Sequence, residues 1–165
     1  LDDYNFAAHV CQDFAYENRL NIASTILRGL ELLHTGFFTT VHNYFNIHSG
    51  IIRKGAVRAE KDEQLIIPLN MRDGSLICRG KGNEDWLCSA PHGAGRLMSR
   101  NRAKETLSME EYRQQMHDIY STSVCESTID ESPMAYKPAE EIESLIADTV
   151  DVVKRIKPIY NFKAK

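Results

Sequence analysis

Much that would point outside a reducing, aqueous setting is missing from this sequence. Its four cysteines, Cys11, Cys78, Cys88 and Cys125, include no Cys-x-x-Cys pair, which excludes the usual zinc-ribbon spacing and gives no disulfide framework. They are expected to be buried free thiols in a cytoplasmic protein. No apolar run approaches the roughly 18 residues that a membrane-spanning helix needs. The opening Leu1-Asp2-Asp3-Tyr4 has neither a basic nor an apolar leader pattern, so neither a leader nor a membrane partner is expected. A large excess of one charge is absent too: the net charge is −3, so the chain as a whole is no sponge for polyanions. Repeats and low-complexity segments are also lacking.

The 165 residues that remain are 42% hydrophobic and 26% charged, enough for one globular domain with a core. Apolar residues from Tyr4 through Ala8, Cys11, Ala15, Ile22, Ile26, Leu30 and Leu33 recur at three- and four-residue steps, which predicts one long helix over residues 2–34 with Gly36 as its stop. Residues 37–92 change to β-branched and aromatic runs between turns. Strands are expected over 37–45, 50–57, 64–69, 75–78 and 86–88. Ser108-Met109-Glu110-Glu111 is a capping-box pattern, opening a helix to about Tyr120. Pro138 suits the first turn of a last helix carrying Ile142, Leu145, Ile146, Val152, Val153 and Ile156, ended by Pro158. The fold class is therefore α+β: a long N-terminal helix, a central block of short mixed strands, and C-terminal helices.

Chemistry concentrates in Ala90-Pro91-His92-Gly93-Ala94-Gly95-Arg96-Leu97-Met98-Ser99-Arg100. Small residues let backbone amides approach an anion, and a following helix N-terminus would favour negative charge. Arg96 and Arg100, four residues apart, share one face if the helix has begun, and each offers a planar fork for phosphate oxygens. His92 heads the loop, and a neutral imidazole nitrogen is a capable nucleophile toward phosphorus. The residues alone leave three readings open: phosphoryl or nucleotidyl transfer, anion binding, or a structural glycine turn. Gly80-Lys81-Gly82 is too short for a P-loop and lacks the Ser or Thr after its lysine.

The string HGAGRLMSR at 92–100 resembles the motif of the RtcB family of RNA ligases. Further motifs follow that family's order: DDY at 2–4, Asn18-Arg19, HNY at 42–44, RKGA at 53–56, GKGN at 80–83, and Asp130-Glu131 before PMAYK at 133–137. The resemblance implies an enzyme that joins RNA 3′-phosphate or opened 2′,3′-cyclic phosphate ends to 5′-hydroxyl ends, as in tRNA splicing or RNA repair, with GTP and Mn2+ as cofactors. His92 would be the guanylylated catalytic residue and His42 a manganese ligand. Asn43, Asn70, Ser75, Ala94, Gly95, Tyr136 and Lys163 would bind the nucleotide. Arg96, Arg100 and Lys54 would meet phosphate or RNA. RNA is the implied partner, with an accessory activating factor as a further one.

Two departures bear on the site. Pro68-Leu69-Asn70-Met71-Arg72 stands where the family carries a glycine-rich Pro-Gly-Ser-Met-Gly segment, and the tail reads Lys163-Ala164-Lys165 rather than Lys-Gly. The family's remaining metal ligands, an aspartate, a cysteine and two histidines, have no counterparts here. Cys11 sits in the wrong context, and His9, His34, His48 and His117 match no ligand position. One histidine cannot hold two manganese ions. Residues 1–165 are thus expected to be the C-terminal part of a single RtcB-type catalytic domain lacking its N-terminal metal-binding part, and inactive alone. The alternatives are a subunit or non-catalytic fragment completing a split ligase, and a histidine phosphotransferase.

Overall fold

A computed structural model describes residues 2–46 and 49–163. Helix α1 (Asp2–Gly29) opens the chain. It ends short of Gly36: Glu31 takes a left-handed φ of 54°, and the last turn closes with Leu32 N–H donating to Leu27 O at 2.9 Å. Its contacts with the strands include Gln12, whose Oε1 accepts from Phe45 N–H at 2.8 Å, and the tilted ring pair Tyr4–Phe45, 6.3 Å apart. Phe6, Val10, Phe14, Ile22 and Ile26 are exposed along it.

Strands β1 (His42–Asn46), β2 (Ile51–Arg58) and β5 (Ser89–Pro91) form one antiparallel sheet in the order β1-β2-β5. The aromatic run before His42 pairs in no strand. A second antiparallel sheet has the order β3-β4-β7, from Gln64–Pro68, Ser75–Gly80 and Val150–Ile156. The alternation in β3 and β4 buries Leu65, Ile67, Leu76 and Cys78 on one face, each worth about 1.5–3 kcal/mol for the larger aliphatics. Val57 and Ala90 of the first sheet join the same core, together with Ile142 and Ile146. A short parallel pair, β6 (Tyr120–Ser121) with β8 (Tyr160–Asn161), brings the chain end back to the body.

Helices α2 (Arg100–Thr106) and α3 (Met109–Gln115) follow the glycine loop. Ser108 caps α3, accepting from the amides of Glu110 and Glu111. Tyr112 and Met116 close a second core cluster with Met71 and Ile129. Helix α4 covers Ala139–Leu145 only.

Three expectations are corrected. The long last helix is instead α4 followed by β7, because Val150, Val152, Val153 and Ile156 are β-branched and pair antiparallel along β4 from Gly80↔Val150 to Ser75↔Ile156. Trp86-Leu87-Cys88 is no strand: Glu84–Trp86 is a 3-10 turn, and Leu87 and Cys88 are left-handed at φ 50° and 46°. Of the four thiols only Cys78 is buried; Cys11 is exposed, and Cys88 and Cys125 are intermediate.

Candidate functional site

The three strands of the first sheet place two histidines side by side. His42 begins β1 and His92 directly follows β5, so they flank the Gly55-Ala56 stretch of the central strand β2. Their rings stack with centroids 5.2 Å apart and planes 16° from parallel. The Nδ1 of His92 lies 2.6 Å from the Gly55 carbonyl oxygen. His48, read in the sequence as a bystander, lies outside the described residues.

The glycine loop is pinned on both sides. Ala94 N–H donates to Pro68 O at 3.1 Å, Leu97 N–H to Ala135 O at 2.9 Å, and Lys137 N–H to Gly95 O at 3.2 Å. A Cβ at Gly93 would stand 3.1 Å from Pro68 O, and Gly95 has φ +72°. Glycine is thus favoured at 95 by conformation, while at 93 a side chain would fit only tightly against Pro68 O. The Ala94 amide is engaged by the chain itself.

The two arginines do not share a helical face. Ser99 is the N-cap of α2, its hydroxyl accepting from Arg102 N–H, so Arg96 sits in the extended link before the helix. Its guanidinium lies 5.0 Å over the Tyr136 ring, donates to Tyr136 Oη at 3.2 Å and to the Asp130 carbonyl. Arg100 donates to Asp130 Oδ2 at 2.7 Å and to the Glu131 carboxylate. These carboxylates raise the Arg100 guanidinium above its ordinary value, Asp130 most.

A cleft of about 740 Å³ opens beside the histidines, a volume suited to a nucleotide-sized ligand. His42, His92, Asn70, Ser75, Ala94, Gly95, Arg96, Arg100, Tyr136 and Lys163 all line it. Asn43 and Lys54 do not; Lys54 is exposed on β2, and the Asn43 side chain accepts from Gly55 N–H at 3.1 Å. Asn70 lines the cleft but is occupied in closing the β3–β4 turn. Its Oδ1 accepts from the amides of Arg72 and Asp73, and its Nδ2 donates to Asp73 Oδ2 at 2.7 Å. Burial pushes the Asp73 carboxyl up, but Arg72, Asn70 and Arg155 outweigh it and hold the group below the usual range.

Glu131 was not singled out as a site residue in the sequence, although it stood within the motif before PMAYK. Its carboxylate accepts from Tyr136 Oη at 2.7 Å and pairs with Lys163 Nζ at 3.2 Å. Burial pushes this carboxyl up; the Tyr136 hydroxyl, Lys163 and Arg100 together bring it below the ordinary value. Burial, then the bond to Glu131, push the Tyr136 phenol up to about 12. Lys163 reaches the cluster because Ser123 holds its backbone, accepting from Lys163 N–H at 2.9 Å. The only sequence signal for Glu131 was its acidic pair with Asp130.

Chemically the cleft is lined by an exposed imidazole, His92, and by the cation–phenol–carboxylate cluster of Lys163, Tyr136 and Glu131. That arrangement suits a ligand with a phosphate near His92 and a polar aromatic group near Tyr136. Among the described residues no group of three or more His, Cys, Asp or Glu side chains could hold a metal ion. Among the described residues His42 therefore lacks the co-ligands a manganese site requires. No helix among the described residues is long and apolar enough to cross a membrane.

Comparison with known proteins adds an independent line. The family model described as tRNA-splicing ligase RtcB matches residues 1–164. The RNA-splicing ligase RtcB of Escherichia coli strain K12 is 34% identical over 176 residues, an alignment covering 96% of this chain and 43% of that protein. A second Escherichia coli protein, RNA-splicing ligase RtcB1, gives the same identity and coverage. The tRNA-splicing ligase RtcB of Aeropyrum pernix is 35% identical over 130 residues, covering 66% of this chain and 27% of that protein. The chain thus spans less than half the length of these curated relatives.

Proposed function

The chain belongs to the RtcB family, and on that premise we propose that it is the nucleophile-bearing part of an RNA ligase charged with GMP on His92. The observation that carries this reading is the position of His92. The ring is exposed and lines a nucleotide-sized cleft together with Tyr136, Glu131 and Lys163.

In the proposed reaction the free ring nitrogen of His92 attacks the α-phosphorus of GTP. A P–N bond forms, the bond from that phosphorus to the β-phosphate oxygen breaks, and pyrophosphate leaves. An RNA 3′-phosphate oxygen then attacks the same phosphorus, and the P–N electron pair returns to the ring. A 5′-hydroxyl finally attacks the activated 3′-phosphorus, releasing GMP and yielding its proton to solvent. Arg100, whose side chain is 63% exposed despite its ion pairs, is placed to meet a phosphate. Tyr136 and Lys163 would face the guanine. His42 fits one ligand of a manganese site, but the described residues do not complete that site, and no step here is routed through the metal. Residues 1–165 are accordingly read as the C-terminal part of one catalytic domain.

The test is incubation of the chain with GTP, manganese and 3′-phosphate RNA. No ligation is expected from the chain by itself, because the described residues hold too few metal donors; ligation would overturn that argument. Labelled GTP separates guanylylation, which retains the α-label, from histidine phosphotransfer, which retains the γ-label.

A second reading, a subunit completing a split ligase, is favoured by α1. Phe6 and Phe14 are 72% and 71% exposed there, an apolar stripe suited to a further polypeptide. Co-expression with the N-terminal part of an Escherichia coli relative, followed by size exclusion, tests it. A complex supports this reading, and separate elution dismisses it.

A further inference from the structure

The pairing of β1 with β2 is interrupted by a bulge between His42 and Tyr44. His42 pairs with Val57 and Tyr44 with Arg53, so Asn43 alone stands opposite Lys54, Gly55 and Ala56. Asn43 and Gly55 both take left-handed backbone, at φ 57° and 69°. The Asn43 side-chain oxygen accepts from Gly55 N–H at 3.1 Å. Strand bulges re-aim groups beside active sites, and here the re-aimed group is the Gly55 carbonyl, 2.6 Å from His92 Nδ1. A Cβ on Gly55 would stand 3.5 Å from both Cε1 and Nδ1 of His92, an ordinary contact distance, so the ring lies directly against Gly55 and what favours glycine there is its left-handed backbone.

We propose that Asn43 is a positioning residue: it holds Gly55 so that the Gly55 carbonyl fixes His92 in its Nδ1–H tautomer and leaves the Nε2 lone pair as the nucleophile. A carbonyl oxygen can only accept, so Nδ1 at this distance must carry the proton in the neutral ring. Neutral imidazole in water favours the Nε2–H form, which would have its lone pair against Gly55 and no nucleophile toward the cleft. Anchoring the 54–55 peptide plane fixes the direction from which the Gly55 Cα–C bond projects. Asn43 is outside the residues that line the cleft, and this role runs through Gly55 rather than through the ligand. It rests on the reading of His92 as the attacking residue.

The experiment is ¹⁵N nuclear magnetic resonance of the histidine rings of the whole chain without nucleotide or metal, at an alkaline pH where imidazole is neutral. His92 is assigned by comparison with His92→Gln. In the wild type, Nδ1 should carry the protonated-nitrogen signal and Nε2 the bare one. Asn43→Asp, which keeps an acceptor, should retain this pattern. Asn43→Gly, which keeps the left-handed backbone but removes the acceptor, should shift the tautomer ratio roughly tenfold toward Nε2–H.

An Nε2–H ring in the wild type, or an unchanged ratio in a folded Asn43→Gly, overturns the inference. If Asn43→Gly does not fold, the decision falls to the wild type and Asn43→Asp: Nε2–H in either overturns it, and Nδ1–H in both supports it. Because no nucleotide is present, failure here is separable from failure of guanylylation, which the α-label reports.

Discussion

Replacing Glu131 with glutamine keeps the shape of the side chain and removes the charge on which Tyr136, Lys163 and Arg100 converge. The carboxylate is 13% exposed and pairs with Lys163, while accepting from Tyr136 at 2.7 Å and from Arg100. Glutamine can still accept one of these bonds. The charge-assisted remainder is worth about 2 kcal/mol, so urea unfolding at neutral pH should show Glu131→Gln less stable by that amount. The pH dependence has a definite sign. The folded carboxyl lies below its ordinary value, so its stabilisation is fully present above the unfolded value of about 4.3 and fades as pH falls through the folded one. The gap between wild type and variant should therefore close in acid. Ultraviolet titration gives a second readout, with Tyr136→Phe identifying the signal. The Tyr136 phenol, pushed up to about 12 first by burial and then by Glu131, should fall in the variant while remaining above its ordinary value of about 10. A stability loss below about 0.5 kcal/mol together with an unmoved phenol would refute the network.

Three other substitutions probe the scaffold. Leu76, fully buried in β4, should cost about 3 kcal/mol when cut to alanine, read by denaturant unfolding. Gly74→Ala should cost about 3 kcal/mol: φ is +79° and the new Cβ would stand 2.0 Å from Ile156 O, adding backbone strain to a clash with β7. Ser108→Ala should lose about 1 kcal/mol with the cap it gives Glu110 and Glu111, and calorimetry would show the shift.

The sequence was most legible where one residue type has one physical use. Ser108 with Glu111 marked the start of α3 at the observed place, and β3 and β4 were marked by short apolar runs at 65–67 and 76–78 between turn signals. Residues 150–156 were misread because Ile142, Ile146, Val152 and Ile156 satisfy a helical period while their β-branching favours a strand. Only the pairing with β4, a contact between residues distant in sequence, decides between the two. The site divides in the same way. Ten of the twelve proposed residues line one cleft. The bond between Asn43 and Gly55 was invisible, because a bulge is a property of two strands together. Likewise nothing local announces that Asp130 and Glu131 fold back onto Arg96 and Arg100.

The central claim is most directly tested by peptide-level mass spectrometry of the chain supplied with GTP, manganese and the N-terminal part of an Escherichia coli relative. The account predicts a GMP adduct on the peptide holding His92, lost in His92→Ala. An adduct on any other residue, or an undiminished one in that variant, would contradict it.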